Sequence, residues 1–424
     1  MKPQDFQRFD MKRPPMRTAW YLRPLTFLLS APAVLKHRTR IVKTGVEALK
    51  PPYILLCNHN AFLDFKVATM AIFPHRANYI VAIDGFIGRE WLLRRVGCIC
   101  KRKFTQDLML MRQIKRVLQN GDVCVIYLEA RYSLCGTTAV LPESLGKLCK
   151  AMGVPVVTLI CHGHHINLPF WNLHPRGVKP TEAELTVLLT PEDLKKTSAD
   201  EINARLVKAF QYDEYAWQRA HGVRVRYPTR AEGLEKVLYQ CPRCRAEYRM
   251  ASEGAVLYCA ACGKRWQYQE DGALRAEDGA TEFSHIPSWY EWERANVRAE
   301  VEAGTYDSGE LRVSVDSLPN AKRFIPLGEG TLRHDMRGFT VRVTDPDGDP
   351  HEMVKPVESL YSCHIEYEYL GKYGDCVDLN TLEDTWYIYP RGRDFSVTKM
   401  ALATEELYQK WRRDTGRPSL PGMA

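Results

Sequence analysis

The sequence predicts an α/β domain, then a small metal-binding module, then a C-terminal all-β domain closed by one helix. Three observations predict this. Strand-like and helical runs alternate over the first 200 residues or so, two Cys-x-x-Cys pairs stand at 241–262, and strand candidates crowd the stretch after 308. The chain has 424 residues, and at roughly 100–200 residues per domain that allows two to four domains. Hydrophobic residues make up 45% and charged residues 26%, which excludes a wholly disordered chain. No repeat of solenoid period is visible. Mean hydropathy is −0.34, and no apolar run approaches the length of a membrane span, so a polytopic membrane protein is excluded. The net charge of +8 suits phosphates or anionic lipid and does not by itself identify nucleic acid.

Residues 1–45 read as an amphipathic arm. Lys12, Arg13 and Arg17 precede Trp20 and Tyr21; an apolar run from Leu25 to Leu35 follows, and then Lys36, His37, Arg38 and Arg40. Eleven helical residues span only about 16 Å, half a hydrocarbon core. An anchor lying in the membrane interface fits that pattern, with aromatic groups among the headgroups and cations against anionic lipid. The competing reading is an ordinary helix packed on the domain behind it. The 13 Cys are an odd number, and only four stand in paired motifs. A reducing compartment with one metal site is therefore expected in place of a disulfide framework. No signal-peptide order of charge, apolar core and cleavage site is seen. The expected location is cytoplasmic, peripheral on the inner face of the cell membrane.

The α/β domain is expected over 46–220. Strands are predicted at 53–57, 78–83, 96–100, 123–128 and 155–161, with helices at 61–73, 105–119, 142–152 and 199–220. A connecting helix is predicted within 280–305. The tail, 308–414, offers seven strand candidates: 310–315, 329–334, 338–344, 352–355, 359–368, 374–379 and 384–389. A helix over 395–413 follows, with Val397, Met400, Ala401, Leu407 and Trp411 near one face. Seven strands and one helix look like the pleckstrin-homology superfold.

Four blocks carry chemistry. The first, Asn58-His59-Asn60-Ala61-Phe62-Leu63-Asp64, follows the strand at 53–57. Residues five apart on one helix lie on different faces, so His59 and Asp64 meet only if His59 sits in the turn and Asp64 in the first helical turn. Asn60 then caps the helix. In that geometry the carboxylate binds one imidazole nitrogen and leaves the other as a base. The bland alternative is a capped helix with a surface histidine, since a bare His-x4-Asp is expected about once by chance. The second block is Gly97-Cys98-Ile99-Cys100-Lys101-Arg102-Lys103, where glycine admits a ligand and Arg/Lys hold phosphate. The third is Tyr127-Leu128-Glu129-Ala130-Arg131-Tyr132-Ser133, and the fourth is Val154 to Leu159.

In order and spacing these blocks resemble the glycerolipid acyltransferase family, which includes 1-acylglycerol-3-phosphate acyltransferases. The likeness covers roughly 40–215. The family's Asn-His-x4-Asp is matched in full by His59 and Asp64, and its Gly-x-Ile-x-x-Arg by Gly97, Ile99 and Arg102. Its Phe-Pro-Glu-Gly-x-Arg-Ser is matched only at Glu129 and Ser133. Ala130 replaces the Gly, Tyr132 replaces the Arg, and Arg131 stands one place earlier. In the fourth block Thr158 replaces the second Pro. The resemblance implies a central mixed sheet flanked by helices. It also implies transfer of an acyl group from acyl-CoA or acyl carrier protein to a lysophospholipid hydroxyl. His59 would be the general base and Asp64 its orienting carboxylate; Gly97, Arg102, Glu129 and Arg131 would bind the acceptor. No Gly-x-Ser-x-Gly elbow competes. Cys57 ends an apolar strand and reads as a buried structural thiol. Cys161-His162-Gly163-His164-His165 invites a metal reading, but it lies where the last strand exits.

The module at 238–268 holds Cys241-Pro-Arg-Cys244 and Cys259-Ala-Ala-Cys262, separated by 14 residues. Two such knuckles complete a tetrahedron around Zn²⁺. Four thiolates leave no open position, so the zinc is expected to be structural, in a zinc ribbon with a hairpin between Glu247 and Tyr258. A redox dithiol pair or an Fe–S cluster are the alternatives. Two rival readings of the chain remain: a non-catalytic lipid-binding scaffold on a degenerate core, and a nucleic-acid-associated protein led by its ribbon. No Lys/Arg-rich tail with stacked aromatics supports the latter, and no nucleic-acid partner is expected.

Overall fold

The computed structural model describes residues 6–371 and 374–420. Residues 1–5 of the expected arm and 372–373 of the expected C-terminal domain lie outside the described residues. The chain divides into two compact units. Of the described residues, the α/β unit takes 10–101, 106–225 and 420, and the β-rich unit takes 6–9, 102–105, 226–371 and 374–419.

The α/β unit runs α1 (Leu22–Lys36), β1 (Arg40–Thr44), β2 (Tyr53–Cys57), α2 (Leu63–Ile72), β3 (Ala77–Ala82), α3 (Glu90–Arg95), β4 (Ile99–Lys101) and α4 (Leu108–Gln119). It continues with β5 (Val123–Tyr127), α5 (Ser144–Met152), β6 (Val156–His162), α6 (His164–Asn167), β7 (Glu182–Leu189), α7 (Pro191–Lys196), α8 (Ala199–Ala209) and α9 (Glu214–Ala220). The sheet order is β1-β7-β6-β2-β5-β3-β4. Only β6 and β7 pair antiparallel, so the sheet is mixed and rich in parallel pairs.

Every residue of β2 is buried. An unbroken apolar strand is what a position covered on both faces requires. Helix α4 is entered through Asp107, whose side chain accepts from the Met109 and Leu110 amides. It buries Leu110, Ile114, Val117 and Leu118 at helical spacing against the sheet. Two strands escaped the sequence reading. β1 falls inside the expected arm, and β7 is the antiparallel partner of β6. The single helix expected at 199–220 is two, α8 and α9. The second is restarted by the Asp213 side chain accepting from the Tyr215 and Ala216 amides.

The β-rich unit begins with a four-stranded antiparallel sheet of β8 (Met250–Glu253), β9 (Val256–Cys259), β10 (Arg265–Tyr268) and β11 (Leu274–Ala276), in the order β11-β10-β9-β8. The hairpin expected between the two knuckles is β8–β9. Helix α10 (Ile286–Glu302) follows. Then come β12 (Leu311–Ser317), β13 (Ile325–Asp335), β14 (Gly338–Thr344), β15 (Pro350–Pro356), β16 (His364–Glu366), β17 (Cys376–Asn380) and β18 (Thr385–Pro390). All pairs in this sheet are antiparallel, in the order β15-β14-β13-β12-β18-β17-β16. Helix α11 (Val397–Asp414) ends the unit and buries Val397, Met400, Ala401 and Leu407. Arg294 of α10 reaches Glu405 of α11 at 2.6 Å, with both side chains at least nine-tenths buried.

Candidate functional site: a buried carboxylate between two histidines

Three neighbouring parallel strands, β5, β2 and β6, end at one edge of the sheet. In open α/β sheets that edge is where ligands are met. The turns after these strands carry Glu129, His59 and His164.

His59 sits in the turn and Asp64 in the first turn of α2, as their spacing demands. His59 Nδ1 lies 3.2 Å from Asp64 Oδ2. The same oxygen accepts from the Asn60 amide at 2.6 Å and the Ala61 amide at 3.0 Å. Asn60 does not cap α2: the cap position is Phe62, with no side-chain cap hydrogen bond. The Asn60 side chain instead donates to the Cys161 carbonyl and accepts from the Tyr212 hydroxyl. The other oxygen, Oδ1, lies 2.5 Å from His164 Nδ1. Burial alone would push the Asp64 carboxyl up, but the bonds to His164 and His59 outweigh it and hold the group well below the usual carboxylate range. Asp64 is therefore an anion at neutral pH.

The His59 side chain keeps 21% of its surface exposed. Its ring stacks on Tyr127 at 4.2 Å and meets Tyr132 at 4.3 Å. Nδ1–H donating to Asp64 leaves the lone pair on Nε2, for which the structure records no hydrogen bond among the described residues.

Glu129 lies beneath this turn, 1% exposed. It accepts from the His59 amide at 3.3 Å, the Ala139 amide at 3.1 Å and the Tyr212 hydroxyl at 3.0 Å. Burial pushes its carboxyl up to about 7; the two amides, Tyr212 and the nearby Arg131 charge pull the other way. Its contacts hold the His59 loop. Arg131 is 4% exposed.

Gly97 has φ +89°, and a Cβ there would come within 2.8 Å of Asn78 Nδ2 and 3.2 Å of the Met16 carbonyl. The space glycine leaves is taken by the segment before α1. Arg102 departs from expectation. It belongs to the β-rich unit, where its guanidinium is 1% exposed. It donates to the Leu318 carbonyl (3.0 Å), Thr385 Oγ1 (2.7 Å), the Pro319 carbonyl (3.1 Å) and the Glu383 carbonyl (2.9 Å). β4 is the edge strand of its sheet, and the chain passes from the α/β unit to the β-rich unit at its end. Cys57 is 1% exposed, and burial pushes its thiol well above the ordinary value, as a structural thiol requires.

The sequence reading missed His164 as a partner of Asp64, together with Tyr127, Tyr132 and Tyr212. The only local signal was the Cys161–His165 cluster, which points to metal as readily. Cys161 Sγ does lie within 4.8 Å of the Asp64 and His164 ligand atoms, all buried.

In the β-rich unit, Cys241, Cys244, Cys259 and Cys262 place their sulfurs within 4.8 Å of one another. Two of the separations, Cys241–Cys262 and Cys244–Cys259, are 3.8 Å. Zn–S bonds of about 2.3 Å in a tetrahedron place sulfurs about 3.8 Å apart, so the four fit one tetrahedral ion. Each knuckle closes alike: the Arg245 amide bonds the Cys241 carbonyl at 3.0 Å, and the Gly263 amide bonds the Cys259 carbonyl at 2.8 Å. Both closing residues have positive φ, 65° and 74°.

No curated protein matches the chain. Among solved structures it is similar to the 1-acyl-sn-glycerophosphate (LPA) acyltransferase PlsC from Thermotoga maritima. That match has 17% identity and a TM-score of 0.34, over 45% of this chain and 77% of that one. Residues 38–162 match the family model described as Acyltransferase. The matched stretch holds both His59 and Asp64 and lies within the α/β unit.

Proposed function

We propose that the chain is a membrane-surface acyltransferase that moves a fatty acyl group from acyl-CoA or acyl carrier protein onto the hydroxyl of a lysophospholipid. One observation carries this reading: a partly exposed imidazole whose Nδ1 is held by a buried anion, within the stretch that matches the acyltransferase family. His59 Nε2 takes the hydroxyl proton as the oxygen attacks the thioester carbonyl. Asp64 stabilises the imidazolium. The tetrahedral oxyanion collapses, the C–S bond breaks, and the departing thiolate takes the proton from His59. A base so placed contributes roughly 10²–10⁴-fold in rate.

The membrane surface is supported by α1, which exposes Leu25, Leu28, Leu29 and Leu35 beside Trp20 and Tyr21, with Lys36 in its last turn. No helix of the described residues is long and apolar enough to cross a membrane. Phe62, at the start of α2 between His59 and Asp64, is 60% exposed and extends the apolar surface to the site. With Arg102 bound elsewhere, Arg131 is the remaining cation of the expected acceptor set. The four cysteines hold structural Zn²⁺; when bound, the ion supplies folding energy and takes no part in transfer. The C-terminal strands and helix are read as a pleckstrin-homology-like module.

The rival scaffold reading draws on the engagement of Arg102 and on the drifted third block. Labelled acyl-CoA and a panel of lysolipids on phospholipid vesicles separate the two. Transfer by the wild type that is lost in His59→Ala supports the enzyme; no transfer to any acceptor by folded wild type removes it.

A further inference from the structure

Asp64 is shared. One imidazole takes each of its oxygens, and the second, His164, comes from 100 residues further along the chain. His164 lies just beyond the stretch that matches the acyltransferase family.

The turn that presents His164 is built for the purpose. β6 ends at His162, and Gly163 takes φ +84° to turn the chain inward. A Cβ on Gly163 would meet Thr181 and Trp217 at 3.1 Å. The buried Glu214 carboxylate on α9 accepts from the Gly163 amide at 2.8 Å and the His165 amide at 3.1 Å. The two turns are also laced together. The Asn58 side chain donates to the Cys161 carbonyl at 3.0 Å and accepts from its amide at 2.9 Å. His164 itself is 0% exposed, and its Nε2 has no hydrogen-bond partner among the described residues. A buried ring with one orphaned nitrogen is least costly when that nitrogen carries a lone pair and no proton. That places the single N–H on Nδ1, aimed at Asp64 Oδ1.

We infer that His164 is a positioning residue: its Nδ1–H pins Asp64 Oδ1 so that Oδ2 stays aligned on His59 Nδ1. The inference rests on the acyltransferase reading of the His59 site. Oδ2 already takes His59 and the Asn60 and Ala61 amides; the His164 bond to Oδ1 adds a second fixed point that resists tilting of the carboxylate away from His59. The substrate meets His59, so His164 acts on turnover through Asp64 and not on binding.

The test compares His164→Asn, His164→Gln and His164→Leu in the full-length zinc-loaded protein. An Asn amide nitrogen reaches the place of Nδ1; a Gln amide reaches that of Nε2 and not Asp64. The expected result is a kcat loss of about 10–100-fold for the Leu and Gln variants with KM within about twofold, and substantial recovery in Asn. An unchanged kcat in folded Leu and Gln variants overturns the inference. So does an Asn variant no better than Gln. So would a second equivalent of zinc, beyond the four-cysteine site, that is lost with His164, since the cluster would then be a metal site. Absence of transfer in the wild type refutes the acyltransferase reading itself, and is told apart by the matching inactivity of wild type and His59→Ala.

Discussion

The His59 turn and the cysteine knuckles are both small constellations of polar side chains, yet they are assembled in opposite ways. All four sulfurs come from two local loops 14 residues apart, and a hairpin needs only to fold back to bring them together. The carboxylate site needs three strands in register: β2 supplies His59, β5 leads to Glu129, and β6 leads to His164. A site closed by local loops is announced by spacing. A site closed by a sheet is announced only in part.

Removing metal is the largest expected effect. Structural zinc contributes roughly 10–16 kcal/mol to such modules near neutral pH. Chelation, or Cys241→Ser, should release one zinc per chain and unfold β8–β11 while the α/β unit keeps its circular-dichroism signature. Unchanged zinc content by atomic absorption would reject the assignment. Next comes His59→Ala, expected to lower acyl transfer by roughly 10²–10⁴-fold without a shift in Tm beyond a few degrees. Retained transfer would dissolve the contrast by leaving the knuckles as the one functional constellation.

Arg102→Leu sharpens the comparison further. It strips four oxygen acceptors of a buried cation, and a hydrogen bond to a charged group contributes about 1.5–3 kcal/mol net, with the four not additive. The expected outcome is a loss of about 3 kcal/mol in denaturant unfolding of the β-rich unit, with acceptor KM unchanged. A raised KM at unaltered stability would return Arg102 to the phosphate.

The smallest effect concerns Glu129. Its folded pKa, about 7, lies above the ordinary carboxylate value. The folded state therefore holds a proton that the unfolded state has released between about pH 4.5 and 7. The contribution of this group is most favourable below that window and declines as pH rises through it. Glu129→Gln should flatten the stability–pH curve there by about 1–3 kcal/mol; an identical slope in chemical denaturation would show that Glu129 is ionised throughout.

Much of the fold was legible because its signals are local. The strand Tyr53–Cys57 was read to the residue, since five apolar residues bounded by Pro and Asn admit little else. The strand pair β6–β7 was not, because an antiparallel partner of mixed polarity reads as loop until its neighbour is known. The helix expected over 199–220 broke at Asp213, whose capping side chain competes with continuation of the helix. Arg102 poses a related problem. A cation after a strand can turn to a ligand or to carbonyls elsewhere, and only the path of Arg102–Thr105 into the β-rich unit decides which.

The sequence by itself determined the cysteine knuckles, the order of elements and the His59–Asp64 pair, because each depends on residues a few positions apart whose geometry the backbone dictates. Tertiary structure decided the rest of the site. It brought His164 to the second oxygen of Asp64, placed Glu129 under the turn, and gave Arg102 four oxygen partners within the β-rich unit. Such choices depend on which strand ends become neighbours, and a buried charge accepts whichever donors the sheet edge brings within reach.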